Sequence, residues 1–277
     1  MKTILDDITE QMREEVPRRK RRMTLNDLES MEGFGRPARS MSDALKRKEG
    51  QSPSRSVAVI AEVKKGSPSK GIFRPDRAFD PVSIAAKYME GGAAAISVLT
   101  NEPFFYGSID HLLAISRISE VPLLRKDFLI DPWQIAEARA YGADAVLLIE
   151  TILSPEQRNE LIDAASELGL DVLLECYSGE EWAGLDWSRV QIAGVNNRDL
   201  RTFDVDLHRG VSLLESAPAG VVRVSESGLR DAQDLWTLYR HGIEAALIGE
   251  QLVRQDDPGK ALHALLKELE SLLASGT

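Results

Sequence analysis

Apolar segments of strand length recur along the chain from residue 57 onward. They are rich in β-branched residues and lie at 57–63, 94–99, 121–125, 145–149, 171–175, 190–195, 221–225 and 245–249. Segments with apolar residues at helical spacing separate them, at roughly 78–90, 109–119, 132–141, 155–168, 179–183, 206–216, 229–241 and 258–274. Strands that alternate with helices indicate parallel βαβ units.

Eight such units over about 220 residues match a (β/α)8 barrel in number and size. The main alternative is a doubly wound open sheet, which usually needs a glycine-rich turn after its first strand. Here that turn contains Ser67, Pro68 and Ser69 instead. The pattern therefore predicts an α/β fold of the (β/α)8 TIM-barrel type.

The first fifty residues follow a different pattern. Apolar residues recur there at helical spacing, at Ile4, Leu5, Ile8, Met12 and Val16. The basic run over 18–22 is more typical of a solvated helix face than of a nucleic-acid site, because no aromatic residues interrupt it. Ser40 or Ser42 is a candidate cap for another helix, and residues 50–54 have the composition of a linker. We expect a helical extension over residues 1–50, packed on a barrel domain over residues 51–277.

Composition narrows the class of protein. Among 277 residues, 34 Lys and Arg face 44 Asp and Glu, a net charge of −10, which argues against general binding to nucleic acid or anionic membranes. No apolar run reaches membrane-spanning length, and the N-terminus lacks a signal-peptide pattern. The single cysteine, Cys176, excludes an internal disulfide. We expect a cytoplasmic protein that is a monomer or a weak homo-oligomer.

The first predicted strand ends in two opposite charges. Glu62 and Lys64 are two residues apart, so both point to the face of the strand that also carries Ile60. Opposite charges on an apolar face are costly unless they pair or take part in chemistry. Two interpretations remain at this point: a structural ion pair at a strand end, or an active-site pair at the mouth of the barrel.

Other strand ends favour the second interpretation. Active sites of such barrels lie at the C-terminal ends of the strands. Seven charged or amide side chains fall at such ends: Glu62, Lys64, Lys126, Glu175, Asn196, Arg198 and Glu226. Lys and Glu can perform acid–base chemistry when burial and neighbouring charges move their pKa values toward neutrality.

The ends of strands seven and eight indicate a phosphate site. Ser227, Gly228 and Gly249 allow close approach of the backbone to a ligand, and Glu250 begins the next segment. Free backbone N–H groups at helix N-termini attract anions, and phosphate binding at these two loops recurs in this fold.

Metal and redox chemistry lack candidate residues. The four histidines fall in or beside predicted helices, at His111, His208, His241 and His263. A Ser-His-Asp triad or a His-ligated metal is therefore not expected. Cys176 should point away from the face that carries Glu175, and the sequence has no nicotinamide-binding fingerprint. We expect neither a metal nor a cofactor.

Several motifs together resemble one family. They are IAEVKKGSPS at 60–69, LT at 99–100 with FYGS at 105–108, RKDF at 125–128, ADAVLLI at 143–149, NNRDL at 196–200 and SESG at 225–228. With them the chain resembles indole-3-glycerol phosphate synthase of tryptophan biosynthesis, over nearly its whole length. The resemblance implies a cofactor-free ring closure, decarboxylation and dehydration of an anthranilate-derived aminodeoxyribulose phosphate.

The resemblance also implies roles for the charged residues. Lys126 would be the general acid for the sugar carbonyl, and Glu175 would stabilise the cationic intermediate or relay protons. Lys64 would hold the anthranilate carboxylate, and Glu62 would accept a proton during dehydration.

The same resemblance implies binding roles. Asn196 and Arg198 would orient the substrate, Glu226 would support hydrogen bonds, and Phe105 would pack on the anthranilate ring. Two further residues, Ser67 and Leu200, are expected to contact the substrate. The phosphate would lie against the backbone near Ser227, Gly228, Gly249 and Glu250.

Three departures from the family pattern stand out. Cys176-Tyr177 replaces the usual Val-His, Gln251 replaces a small hydroxyl residue, and Gly66 replaces a bulkier one. The first pair lies outside the predicted inward face, whereas Gln251 could reshape the phosphate site.

Two other functions stay open from the residues alone. One is another phosphate-binding barrel enzyme, either a sugar-phosphate isomerase or a Schiff-base aldolase that uses Lys126. The other is a barrel that only binds a phosphorylated ligand, although a pure binder needs no acid–base set.

Overall fold

A closed barrel of eight parallel strands forms the centre of the molecule. The computed structural model describes residues 3–47, 57–199 and 204–275. Each strand pairs with the next along the chain, and the eighth pairs with the first. The strands are β1 (Ala58–Val63), β2 (Ala95–Leu99), β3 (Leu123–Lys126), β4 (Ala145–Ile149), β5 (Asp171–Cys176), β6 (Ile192–Asn196), β7 (Val222–Glu226) and β8 (Ala245–Ile248). The predicted (β/α)8 barrel is confirmed.

Helices precede the barrel and follow its strands. They are α1 (Ile4–Arg22), α2 (Leu25–Glu29), α3 (Met41–Leu45), α4 (Pro81–Glu90), α5 (Glu102–Phe105), α6 (Ile109–Ser116), α7 (Pro132–Ala140), α8 (Pro155–Glu167), α9 (Gly179–Ala183), α10 (Leu207–Glu215), α11 (Ala232–Arg240), α12 (Glu250–Val253) and α13 (Pro258–Ser275). The short helices α5 and α12, and a two-residue hairpin pairing Gly66–Ser67 with Gly71–Ile72, were not predicted. They are too short for a periodic pattern, and all three lie beside the barrel mouth.

Capping side chains explain where several helices begin. Asp80, Asp131 and Ser154 each accept a hydrogen bond from the first turn of a helix whose first residue is proline. Proline is tolerated there because that N–H has no partner within the helix. Helix α4 therefore begins at Pro81 rather than at residue 78.

The N-terminal extension is anchored to the barrel by two carboxylates at the N-terminal ends of β4 and β5, one buried and one half-buried. Asp144, which is fully buried, accepts hydrogen bonds from the Arg36 guanidinium at 2.6 Å and from the Arg39 backbone N–H at 2.8 Å. Asp171 accepts one from the Ser42 N–H at 2.8 Å. Of the two candidate caps, Ser40 is the one that caps α3, because its hydroxyl accepts a hydrogen bond from the Asp43 N–H. The predicted linker and the boundary at residue 50 lie outside the described residues, so the division into two domains stays a prediction.

The basic run of α1 faces the barrel on one side. Helix α1 continues through Pro17, and Arg19 forms an ion pair with Glu137 of α7. The Lys20 ammonium lies 2.9 Å from the Asp131 carboxylate. Part of this run is therefore engaged by the barrel's own acidic residues rather than fully solvated.

Alternation along the strands separates two apolar layers. In β1, Val59, Ala61 and Val63 pack between the sheet and the helices, whereas Ile60 belongs to the layer inside the barrel. The same alternation directs Glu62 inward, beyond Ile60, at the C-terminal end. No helix in the described part of the chain has both the length and the apolar character needed to cross a bilayer.

Candidate active site

A cavity of about 780 Å³ opens at the C-terminal ends of the strands. Every site residue predicted from the sequence lines it, apart from Leu200, which lies outside the described residues. The lining members of that set are Glu62, Lys64, Ser67, Phe105, Lys126, Glu175, Asn196, Arg198, Glu226, Ser227, Gly228, Gly249 and Glu250. These residues come from seven separate segments of the chain, which the closed barrel brings to one mouth.

The Lys126 ammonium lies at the centre of a buried polar cluster. It lies 2.9 Å from Glu175 Oε2 and 3.1 Å from Glu226 Oε2. The Asn196 side-chain amide donates to Glu175 Oε1 at 3.2 Å, and Asn196 Oδ1 accepts from the Arg198 N–H at 3.1 Å. Both carboxylates are nearly inaccessible to solvent. The cluster therefore holds an ammonium against two carboxylates in a desolvated site.

Burial and charge move the three pKa values of this cluster apart. Burial alone would lower the pKa of Lys126, but the charges of Glu175 and Glu226 outweigh it and raise that pKa. Burial, helped by the charge of Glu175, raises the pKa of Glu226 to about 8 although Lys126 opposes the rise. For Glu175 burial is the largest influence and raises the pKa, but the Lys126 charge together with hydrogen bonds from Lys126, Glu226 and Asn196 outweighs it, so the pKa is lowered. Burial and charge thus keep the lysine protonated and separate the two carboxyl groups, with Glu226 having the higher pKa of the two.

A second ion pair lies beside the first. Lys64 Nζ pairs with Glu62 Oε1, and only the lysine is partly exposed. A Cβ on Gly249 would overlap the Glu62 carboxylate and would lie 3.0 Å from the Glu62 Cβ. Glycine at 249 is therefore required for this position of Glu62. Both members of the pair line the cavity, so the geometry favours the active-site interpretation over a merely structural pair.

The neighbours of Lys126 face the opposite side of β3. Arg125 is fully buried, and its guanidinium contacts Glu137 at 2.8 Å and Asp127 at 3.2 Å. Asp127 also accepts a hydrogen bond from the Thr100 hydroxyl at 2.6 Å. Strand alternation thus directs Lys126 into the cavity and Arg125 behind the strand, while Asp127 binds Arg125 and also borders the cavity.

Aromatic and aliphatic side chains form one wall of the cavity. The Phe105 and Phe128 ring centroids lie 6.0 Å apart. Phe105 ends α5, which is capped by Asn101, and the Asn101 amide also donates to Asp127 at 3.3 Å. The N-terminal helix adds apolar residues to this wall, namely Ile4, Leu5 and Ile8.

The rim of the cavity after β7 and β8 has two residues in a left-handed backbone conformation and a cluster of charged side chains. Ser227 and Gly228 have φ values of 68° and 76°, a left-handed conformation that is rare for serine. The Glu250 side chain is held by the Lys70 ammonium at 2.7 Å and the Arg254 guanidinium at 2.9 Å. The rim therefore places the backbone of residues 227 and 228 near two cationic side chains that are paired with Glu250.

A scan against family models matches residues 5–265 to "Indole-3-glycerol phosphate synthase". The chain belongs to the indole-3-glycerol phosphate synthase family. It is accordingly a carbon–carbon lyase of tryptophan biosynthesis. The motifs that carried the resemblance in sequence are the segments that line the cavity.

Curated relatives agree along the whole chain. The indole-3-glycerol phosphate synthase of Salinibacter ruber is 47% identical over 274 residues, which is 98% of each protein. The protein of that name from Rhodopirellula baltica is 50% identical over 210 residues, covering 76% of this chain and 80% of the relative.

Solved structures support the fold alone. A "3-Hexulose-6-Phosphate Synthase" superposes with a TM-score of 0.60 at 15% identity, covering 78% of this chain and 99% of that one. A mutant tryptophan synthase alpha-subunit from Pyrococcus furiosus superposes with a TM-score of 0.58 at 15% identity, covering 78% and 98%.

One of the three departures lines the cavity, and another lies beside it. A Cβ on Gly66 would overlap the Gly71 carbonyl oxygen and lie 2.8 Å from the Tyr106 ring. A bulkier residue therefore does not fit this hairpin as it is packed here. Gln251 lines the cavity with an exposed side chain.

The third departure lies outside the cavity lining, as predicted. Cys176 is fully buried on the helix-facing side of β5. Tyr177 follows it and reaches the loop after β6.

Some lining residues were missed from the sequence. His208 is helical, as predicted, but it lies at the start of α10 and lines the cavity. Phe73 and Phe128 also line it, together with Lys70 and Arg254. Over residues 3–47, 57–199 and 204–275, no three His, Cys, Asp or Glu side chains are grouped as metal ligands.

Proposed function

We propose that this cavity converts 1-(2-carboxyphenylamino)-1-deoxyribulose 5-phosphate to indole-3-glycerol phosphate, with Lys126 as the general acid. One carbon–carbon bond forms between the carboxylate-bearing ring carbon and the sugar carbonyl carbon, and CO₂ and water leave. The observation that carries the assignment is the Lys126 ammonium between Glu175 and Glu226 at the cavity centre.

In the first step, Lys126 donates a proton to the carbonyl oxygen as the ring carbon attacks. Its raised pKa keeps the ammonium protonated at neutral pH, so the proton is present when substrate binds. The attack removes the aromaticity of the ring and leaves positive charge on the anilino nitrogen system. Glu175, ionised and 2.9 Å from Lys126, stabilises that charge, and the lysine regains its proton from solvent at the open cavity mouth.

In the second and third steps, CO₂ leaves and the ring closure is completed by dehydration. Lys64 holds the anthranilate carboxylate before it departs, and the departing CO₂ leaves its electron pair to restore the aromatic ring. The hydroxyl formed from the carbonyl oxygen then takes a proton from the Lys64 ammonium, which the lost carboxylate has released, and leaves as water. Glu62, paired with Lys64, accepts the proton lost from the adjacent CH₂ carbon, which forms the indole double bond.

The remaining residues bind and orient the substrate. Asn196 and Arg198 contact its polar groups, and Glu226 supports the hydrogen bonds of the cluster. Phe105 packs on the anthranilate ring, with Ser67 and Leu200 as further contacts. The phosphate binds the backbone at the rim formed by Ser227, Gly228, Gly249 and Glu250.

We also propose that the protein acts in the cytoplasm as a monomer or weak homo-oligomer, without nucleic acid or membrane partners. The free thiol of Cys176 fits a reducing compartment. Light scattering coupled to gel filtration gives the oligomeric state.

The test is to incubate the purified chain with the substrate, without added cofactor, and to follow indole fluorescence. Indole formation is the expected result, and intact substrate after prolonged incubation would overturn the proposal. The Schiff-base alternative needs a neutral amine at Lys126, which the raised pKa disfavours. Borohydride in the presence of substrate should therefore leave Lys126 unmodified, and a covalent adduct there would favour an aldolase.

A further inference from the structure

Tyr177 joins two strand ends of the cavity from outside its lining. It is the first residue after β5, and its hydroxyl donates a hydrogen bond to Asp199 Oδ2 at 2.9 Å. Asp199 lies in the loop after β6, directly after Arg198, which lines the cavity. The phenol thus bonds the segment that carries a substrate-facing residue.

Contacts on every side restrict where this hydroxyl can lie. The Tyr177 N–H donates to Glu181 Oε2 at 2.6 Å, and its carbonyl oxygen accepts a hydrogen bond from the Arg209 guanidinium. The same guanidinium lies 4.0 Å above the Tyr177 ring. Because backbone and ring are both held, little rotamer entropy is lost when the hydroxyl bonds Asp199.

Arg209 extends this arrangement to the catalytic cluster. Its second terminal nitrogen donates to the Asn196 carbonyl oxygen at 2.9 Å. The side chain of Asn196 bonds Glu175 inside the cavity. Tyr177 and Arg209 therefore hold the end of β6 and the segment that follows it as far as Asp199.

The loop after β6 transmits that position to the cavity. The Asp199 N–H bonds the Asp204 carbonyl oxygen at 2.8 Å, and Arg198 pairs with Val205 in an isolated bridge. The Val205 side chain packs where a Cβ of Gly228 would stand. Moving Asp199 would therefore move Arg198 and loosen the loop's packing on the phosphate rim.

We propose that Tyr177 is a positioning residue, which through Asp199 and Arg209 sets the loop that presents Arg198 to the substrate. The inference rests on the proposed function. The phenol at 177 supplies the donor whose hydrogen bond Asp199 accepts.

The test is the Tyr177→Phe variant, which removes one oxygen and keeps the ring under Arg209. We expect KM to rise roughly three- to tenfold, the effect of losing one hydrogen bond to a partly buried carboxylate. We expect kcat to change by less than about twofold, because the Lys126 cluster is untouched. The matched control is Tyr239→Phe, whose ring lies on α11 and contacts Arg47 away from the cavity.

A double-mutant cycle separates positioning from general destabilisation. If the bond acts as proposed, Tyr177→Phe adds no further rise in KM to an Asp199→Ala background. Asp199→Asn keeps an oxygen acceptor, so its KM should stay close to the wild-type value. An unchanged KM in Tyr177→Phe, or independent effects in the cycle, would overturn the inference. A fall in kcat and melting temperature without a rise in KM would also overturn it.

The wild type in the same assay separates this inference from the function itself. If the wild type makes no indole, the proposed function fails. If the wild type turns over and the Tyr177→Phe variant matches it, only the positioning role fails.

Discussion

Replacing Lys126 with methionine is the most direct perturbation of the cavity. Methionine fills similar volume but has no proton to donate, and it leaves two buried carboxylates without their shared cation. The Lys126 ammonium contacts them at 2.9 and 3.1 Å. Substrate contacts at the Arg198 loop and the phosphate rim come from other segments, so binding should largely persist.

The size of the effect follows from the proton that is lost. General acid catalysis by a positioned side chain contributes about 10²- to 10⁴-fold, or roughly 2.7 to 5.4 kcal/mol of barrier. Stability should also depend on pH in the variant. Without the cation, Glu175 and Glu226 fold with pKa values above that of an unfolded carboxyl. The folded state then binds more protons, and its stability falls as pH rises above about 4.5.

The assay is single-turnover indole fluorescence, with the Kd of a product analogue measured separately. Melting temperatures at pH 6 and pH 8 give the stability effect. The matched control is Lys20→Met on α1, which removes an ion pair with Asp131 outside the cavity. That variant should keep the wild-type kcat, since exposed pairs contribute about 0.2–1 kcal/mol to stability and none to this chemistry.

A kcat for Lys126→Met within about tenfold of the wild type, or roughly 1.4 kcal/mol of barrier, would refute the general-acid assignment. Loss of activity through Kd alone would refute it as well, because it would make Lys126 a binding residue. An unchanged melting temperature at both pH values would contradict the view that the ammonium stabilises two buried carboxylates.

Three further variants test other parts of the structure. Glu226 has a folded pKa near 8 against an ordinary 4.5, so the wild type should lose stability relative to Glu226→Gln as pH rises between those values, by at most about 1.4 kcal/mol per pH unit. Urea titrations measure this loss, and identical pH dependence of the unfolding free energy in the two proteins would contradict it. Gly249→Ala should displace Glu62 and lower kcat at least about tenfold, whereas Gly35→Ala, with open space around its Cβ, should not; equal activities would refute the steric argument. Asp144→Ala should lower the free energy of unfolding by about 1–3 kcal/mol, because the buried Leu123 N–H and the half-buried Arg36 and Arg39 lose their shared acceptor, and a loss under about 1 kcal/mol would show the anchor to be dispensable.

Local chemistry made much of the site predictable. Strand period places Glu62 beside Ile60 on one face, and barrel closure brings the end of every strand to one mouth. Lys126, Glu175 and Glu226 could therefore be grouped before their distances were known. The same reasoning placed Cys176 on the outer face.

Contacts between side chains that are far apart in sequence could not be predicted in this way. Lys126 and Glu226 are 100 residues apart, and only the closed barrel decides that they bond. His208 was correctly assigned to a helix, but the side it presents depends on how the preceding loop folds back. Tyr177 was correctly placed outside the cavity, yet its bond to Asp199 depends on the path of another loop.

The alternation around Lys126 has a consequence for how such a barrel can change its chemistry. Arg125 attaches the strand end to Glu137 of α7 and to Asp127, while the Lys126 ammonium between them projects into the substrate chamber. The residue that carries the proposed chemistry and the residue that fixes the strand end are therefore neighbours in sequence. A different side chain at position 126 would project from a backbone that Arg125 already holds in place. This position is therefore a natural starting point for designing other reactions on the scaffold.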